Sequence, residues 1–332
     1  MNNIDIINAI RAASTAQFQE RIPVATQGNI ADIGTAIMRD VFELNNNEFL
    51  DNLMNMIAMT VFKQKMLRNK LAPFKTGNNP FGDTIREIGV DIQKGETFEQ
   101  GKNPFETGKA NVLEMFHRLN RQDVYRVHVS WAMLTSAFTD GGGLQNLMDK
   151  MVSALYSSAN MDEWLCMKNL FSQYINAPTM PLKSEQIWDG SVKPTDRDTA
   201  NNFLIDIKQA VAALSFPSDK LNPAGFMLDS EGMTAFVRSD IMPVVDTLSL
   251  AAAFQLDKAA PPATILTLDD FGDNTDDVLA VITNRDWFMV YDKLQTLASI
   301  ANPADLTHHY HLHIWQYLSL SYMVNAIIIK AA

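Results

Sequence analysis

Cysteine is almost absent: Cys166 stands alone among 332 residues. One thiol cannot close an intramolecular disulfide, so the fold must stand on packing, and a reducing cytoplasm suits its synthesis. No segment approaches the roughly 20 consecutive apolar residues that a membrane-spanning helix needs. The N-terminal Met1-Asn2-Asn3-Ile4-Asp5 also lacks the basic and then apolar profile of a signal peptide, and no membrane partner is expected. Cationic charge is scarce, with 27 Lys and Arg against 38 Asp and Glu, a formal charge of -11. Such a surface repels phosphate, which disfavours tight duplex binding by the whole surface. Gly-x-Ser-x-Gly and His-Glu-x-x-His are missing, and Gly141-Gly142-Gly143 lacks a following Gly-Lys-Ser/Thr, so it reads as a hinge or helix-entry turn.

What is present is core material. Hydrophobic residues make up 47% of the chain and include 18 methionines and 18 phenylalanines, enough for one large domain or two smaller ones. Soft and aromatic side chains in that number also suit subunit interfaces.

From Ile4 to Asn69 apolar residues recur at helical spacing, Ile6, Ile10 and Ala13 early and Phe49, Leu53, Met56, Ile57 and Val61 later, broken by Pro23 and Gly28. Two or three helices joined by an extended arm are expected. Between Leu71 and Asn120 glycine and proline punctuate short alternating runs such as Thr84-Ile85-Arg86-Glu87-Ile88. That texture predicts a long two-stranded excursion with polar faces, of the kind that grips a neighbour or closes as a lid. The spacing of Leu144, Leu147, Met151, Leu155, Ala159, Met167, Leu170 and Phe171 predicts one long helix ending near Tyr174. An α+β region follows, with helices over Ala200 to Leu214, Ser230 to Val237 and Leu248 to Phe254, and strands at Phe226 to Leu228, Thr264 to Leu268 and Val278 to Ile282. Leu312 to Ile329 reads as strand returning to the core.

Each tempting site has a plainer account. On a strand His309, His311 and His313 share one face, but three ligands along one strand span about 13 Å, too far to share a zinc ion. A solvated or stacked imidazole face is expected. Asp269, Asp270, Asp273, Asp276 and Asp277 lack the register and closing Glu of a calcium loop and read as a solvated turn. Lys63, Lys65, Arg68, Lys70 and Lys75 form the one basic run and read as a solvated face. Cys166 lies among Trp164, Leu165 and Met167, where burial suppresses reactivity. No catalytic residue, metal ligand or cofactor site is assigned.

Local sequence adds a resemblance that runs along nearly the whole chain. Ile7-Asn8-Ala9-Ile10-Arg11, Ile22-Pro23-Val24-Ala25-Thr26, Phe74-Lys75-Thr76-Gly77 and Pro80-Phe81-Gly82-Asp83-Thr84-Ile85-Arg86-Glu87-Ile88 are among its segments. So are Phe116-His117-Arg118-Leu119-Asn120-Arg121-Gln122, Ala154-Leu155-Tyr156-Ser157-Ser158-Ala159, Asp286-Trp287-Phe288-Met289-Val290-Tyr291-Asp292 and His313-Ile314-Trp315-Gln316. Together they resemble the major capsid proteins of phi-29-type short-tailed bacteriophages, which have the HK-97-type shell fold.

The resemblance implies an α+β fold with an N-terminal arm and helices over 1–70, an extended loop over 71–120 and a peripheral domain with a spine helix over 121–194. It further implies an axial domain over 195–295 and return strands of the peripheral domain over 296–332. It implies a homo-oligomer, hexamers and pentamers of an icosahedral or prolate head assembled in the host cytoplasm, enclosing double-stranded DNA contacted only weakly. A scaffolding protein and a portal are the implied partners. Assembly contacts are expected from Phe74, Phe81, Arg86, Glu87 and Phe116 of the loop, from Arg121 after it, from Tyr156 of the spine, and from Trp287 and Trp315. Some relatives continue into an immunoglobulin-like surface domain, whereas this chain stops at Ala332, and no long helical propeptide precedes the arm. Two rivals remain: an encapsulin-like compartment, and a metal-dependent enzyme using the histidine strand.

Overall fold

In chain order the described elements begin with α1 (Asn3–Ala13), α2 (Ala16–Arg21), α3 (Ile30–Arg39), β1 (Gly77–Asn78), β2 (Thr84–Val90), β3 (Val112–Arg118) and β4 (Arg121–Ser130). Next come α4 (Trp131–Thr139), α5 (Gly143–Val152), α6 (Ser158–Asn176), β5 (Ile187–Ser191) and α7 (Arg197–Ser215). The last are β6 (Met233–Arg238), β7 (Thr264–Leu268), β8 (Val278–Asn284), β9 (Phe288–Asn302), β10 (Thr307–Leu320) and β11 (Ile327–Ala331). The computed structural model describes residues 3–39, 49, 52, 68–90, 95, 97, 100, 112–139, 143–176, 187–216, 221, 232–245, 264–302, 304–305, 307–321 and 323–331. The expected helix Leu248 to Phe254, the expected strand Phe226 to Leu228, and Lys63 and Lys65 lie outside them.

The chain divides into two compact units: Met1–Ala72, Arg121–Trp164 and Leu294–Trp315 form the first, and Pro73–Asn120, Leu165–Lys293 and Gln316–Ala332 the second. In the first unit α1 buries Ile6, Ile7 and Ile10 as one stripe. Their partners in the core include Leu144, Leu147, Met151 and Leu155 of the helix beginning at Gly143, and Tyr310, Leu312 and Ile314 of β10. Asn3 is buried, and its side-chain amide donates to the Ala137 carbonyl at 3.1 Å and accepts from the Leu144 amide at 3.4 Å. That pair of bonds ties α1 to α4 and α5. A Cβ at Gly143 would lie 2.5 Å from the Ala137 carbonyl oxygen, so glycine suits the first residue of α5; Gly141 and Gly142, the rest of the expected hinge or helix-entry turn, lie outside the described residues.

The long helix is present, and the structure refines it. α5 and α6 are joined by a π-helical stretch, Ser153–Ser157, and the last turn reaches Asn176, two residues beyond Tyr174. A π turn inserts one extra residue per turn and rotates the buried stripe, which the apolar spacing alone does not reveal.

Arg121 opens β4 and is 4% exposed. Its guanidinium donates to Asp123 at 2.6 Å, to the Tyr125 hydroxyl at 2.9 Å and to the Ala159 carbonyl at 3.4 Å. Tyr125 in turn donates to Asp162 at 2.7 Å. Burial, then the bond to Asp162, pushes the Tyr125 phenol well above its ordinary value. Arg121→Ala is expected to cost about 2–3 kcal/mol, because a charged donor is lost and buried acceptors stay behind; the shift in urea midpoint measures it.

In the second unit a five-stranded sheet runs in the order β5-β11-β8-β6-β7. Its central strands β8 and β6 are buried almost residue by residue. Of the helix expected over Ser230 to Val237, the part from Met233 is strand instead: Met233–Arg238 lies between β7 and β8. A short apolar run buried on both faces has no period to separate the two readings. α7 lies against β8 and β11 and buries Ala200, Phe203, Ile207, Ala210, Val211 and Leu214. Asp196 caps it, accepting from the Thr199 amide at 2.9 Å. An aromatic cluster fills this unit: Phe171 packs against Phe236, Phe271, Trp287 and Phe288 at ring separations of 5.1 to 5.7 Å.

A second sheet has the order β1-β9-β10-β4, and among the described residues β2 pairs with β3 alone. The returning tail is thus two strands in two sheets, β10 in the four-stranded one and β11 between β5 and β8.

Candidate assembly surface

β2 and β3 form an antiparallel ribbon paired from Thr84 with Arg118 to Val90 with Val112. Partners across an antiparallel pair share a face. Thr84, Arg86, Ile88, Val90, Val112, Glu114, Phe116 and Arg118 therefore make one side, and every one of them is exposed. On it Arg86 pairs with Glu114, and Ile88, Val90, Val112 and Phe116 flank that pair. The expectation of polar faces is corrected here: this side is half apolar. Exposed apolar area gathered on one side of a ribbon marks a contact surface.

The opposite side is consumed within the subunit. His117 lies between Glu87, 3.0 Å from Nε2, and the Ser319 hydroxyl, 2.8 Å from Nδ1, and Ser321 donates to the second Glu87 oxygen. A hydroxyl, an imidazole and a carboxylate in that order call a hydrolytic triad to mind. Here, though, His117 is 3% exposed and Ser319 also donates to the Met289 carbonyl at 3.2 Å, so the chain of bonds ties strands together. Gly89 is held so close to Met323 that a Cβ would sit 2.7 Å from its sulfur.

The stem of the ribbon is fixed several times over. Asn120 donates to the Leu318 carbonyl at 2.7 Å and accepts from the Leu318 amide at 2.9 Å. The Tyr317 hydroxyl donates to the Gly82 carbonyl at 2.7 Å, and Gly82 has φ +77, a conformation that favours glycine. Lys293 pairs with Asp83, Lys75 with Asp292 at 2.7 Å, and β1 pairs in parallel with β9. A two-stranded ribbon is marginal alone, and these ties hold its base.

Of the residues expected to carry assembly contacts, Phe81 is the most exposed, at 84%, with Phe116 at 56%. Arg86 shares the outer side with Phe116; Glu87 is on the anchored side. Phe74 packs at 5.1 Å from Phe236 and 5.4 Å from Phe288. Trp287 is fully buried against Phe171, Tyr174 and Phe288. Arg121, Tyr156 and Trp315 belong to the first unit: Arg121 is buried, Tyr156 is half-buried with its phenol pushed up by burial, and Trp315 is half-buried on β10. Ile88, Val90 and Val112 of the outer side escaped the sequence reading, although the period-two alternation from Thr84 contains the signal.

The other sequence candidates resolve simply. His309, His311 and His313 do share a face, with ring centroids 6.4 and 6.5 Å apart, and among the described residues no group of three His, Cys, Asp or Glu could hold a metal ion. The acidic turn is tied down more than a solvated turn would be. Lys168, largely buried, lies 3.1 Å from Asp269 and 2.9 Å from Asp270, and Lys330 is 2.9 Å from Asp277. Burial pulls the Lys168 ammonium down, but the two carboxylates outweigh it and hold it above the ordinary value. Arg68 and Lys70 are exposed, and Cys166 is half-buried on α6.

A family model described as Phi29-like phage major capsid protein matches residues 7–330. The chain is 32% identical over 330 residues to the major capsid protein of Bacillus phage B103, covering 97% of this chain and 72% of that one. It is 29% identical over 343 residues to the major capsid protein of Streptococcus phage Cp-1, covering 98% and 93%. Among solved structures, the capsid of Staphylococcus phage Andhra aligns with a TM-score of 0.63 at 12% identity, over 82% of this chain and 87% of that one, a likeness of fold.

Proposed function

The chain belongs to the Phi29-like phage major capsid protein family and is a shell subunit of the virion, and from that premise we propose that its β2–β3 ribbon is the principal grip on a neighbouring copy. The exposed outer side, with Ile88, Val90, Val112 and Phe116 around the Arg86–Glu114 pair, carries this reading. Phe81 extends the surface at the stem. Glu87, Phe74 and Trp287 serve it from within the second unit, setting the geometry of the elements that present it, while in the first unit Arg121 braces its own strand and Tyr156 and Trp315 offer half-buried aromatic area for a second contact.

Copies assemble as hexamers and pentamers of an icosahedral or prolate head, in the host cytoplasm, with a scaffolding protein and a portal as partners. Residues 71–120 act as the extended loop, the peripheral domain takes 121–194 and 296–332, and the axial domain takes 195–295. The wall performs no catalysis. Its acidity keeps packaged DNA loosely held, since a net charge of -11 offers few cations to displace counterions. Many modest contacts repeated around closed symmetry then add into a shell that no single contact sustains.

Electron microscopy of the purified protein, alone and with candidate scaffolding proteins, tests the reading. Closed shells, rings or tubes are the expected result. A monomer or dimer under every condition would overturn it.

A further inference from the structure

Between Thr307 and Trp315 β10 alternates strictly: His308, Tyr310, Leu312 and Ile314 are buried, and His309, His311 and His313 face the other way, half-exposed. The three imidazoles lie one above another, their planes 30° and 24° apart. His128 of the adjacent strand β4 brings a fourth ring to 6.0 Å from His309, and Arg126 of β4 acts on His311. Neutral imidazoles sit at this spacing without repulsion; charged ones repel, as like charges do on neighbouring positions of a sheet face.

Among the described residues counter-charge is scarce around the row. Asp305 lies 3.9 Å from His309 at its outer end and is itself held by Thr307. Asp123 of β4 is taken by Arg121. The part of β9 in the same unit, Leu294–Asn302, contains no ionisable side chain.

We propose that this imidazole face makes the sheet of β4, β10 and β9 acid-labile: positive charge gained along the row beside Arg126 repels and loosens β10 from its neighbours. Burial, then Arg126, His309 and His313, hold the His311 imidazole below its ordinary value. The sign follows from linkage. A His with a depressed folded value is protonated first in the unfolded chain, so its stability contribution is complete above about pH 6.5. The contribution is lost as pH falls through that value towards the folded one.

The test compares thermal unfolding of the full-length protein with that of the His309→Gln, His311→Gln, His313→Gln triple variant from pH 8 to pH 5. The expected result is coincident midpoints at pH 7.5 and a fall of several degrees on acidification in the original chain that the variant lacks. Equal slopes in the two proteins would overturn the proposal. Should the triple variant fail to fold, His311→Gln and Arg126→Gln carry the same comparison, each expected to flatten the slope. Hydrogen exchange over residues 307–316, corrected for intrinsic rates, should quicken several-fold at pH 5.5 in the original chain, and unchanged protection there would also overturn it.

Discussion

Placing aspartate at both Ile88 and Phe116 is expected to leave a folded subunit that no longer closes into shells. Neither side chain supports its own subunit: Ile88 is 50% exposed and Phe116 56%, and both point away from the side tied to Ser319 and Ser321. Substitution at such positions shifts stability by no more than about 0.5 kcal/mol. In an assembled wall the same side chains would be covered, and burying what each exposes is worth roughly 2 kcal/mol. Aspartate removes that gain and adds the desolvation of a carboxylate. Because every subunit repeats the loss, shell yield should fall by more than about tenfold, read by size exclusion and electron microscopy at equal protein concentration. Threonine at both positions preserves strand preference and should lower the yield less. Normal shells from the double aspartate variant, with an unchanged unfolding midpoint, would remove the ribbon's outer side from the assembly contact.

The ribbon shows what a single sequence displays and what it conceals. Glycines and prolines between Leu71 and Asn120 punctuate, and the alternation from Thr84 to Ile88 has the period of strand, so the excursion was legible. Its apolar side was not, because Arg86 and Glu114 interrupt Ile88 and Phe116 in the chain and only the register with Val112 gathers them. The histidine face was legible for the opposite reason, since one strand contains the whole alternation. β6 was concealed because Met233 to Val237, Thr234 included, is buried on both faces and shows no two-residue period. Arg121 is the clearest blind spot: the resemblance offers it as an assembly contact, whereas it is buried, its guanidinium held by Asp123 and Tyr125 of its own strand and by the Ala159 carbonyl, which only the fold brings to it. Trp287 and Phe288 were noticed through resemblance, whereas Phe171 and Phe236, which complete their cluster, looked like ordinary core residues.

That cluster sets the second large expectation. Trp287→Ala should destabilise the subunit by about 3–5 kcal/mol, the range for emptying a buried aromatic site, against a typical total of about 5–15 kcal/mol for a folded domain. The indole is fully buried, with Tyr174 4.9 Å, Phe288 5.2 Å and Phe171 5.4 Å from it between ring centres. Three rings from α6 and β9 would face the cavity, and such surroundings collapse little. The backbone here also serves the ribbon. The Ser321 amide donates to the Trp287 carbonyl at 2.7 Å, and the Ser321 hydroxyl bonds Glu87. Alanine should therefore lower the urea midpoint at constant slope and also reduce shell yield by slackening the stem. Trp287→Phe keeps a ring against Phe171 and Tyr174, so most of the stability and normal shells should remain. A loss below about 1 kcal/mol for alanine would mean that the cluster repacks, and that the hydrogen bonds from Asn120, Tyr317 and Lys293 hold the ribbon without it.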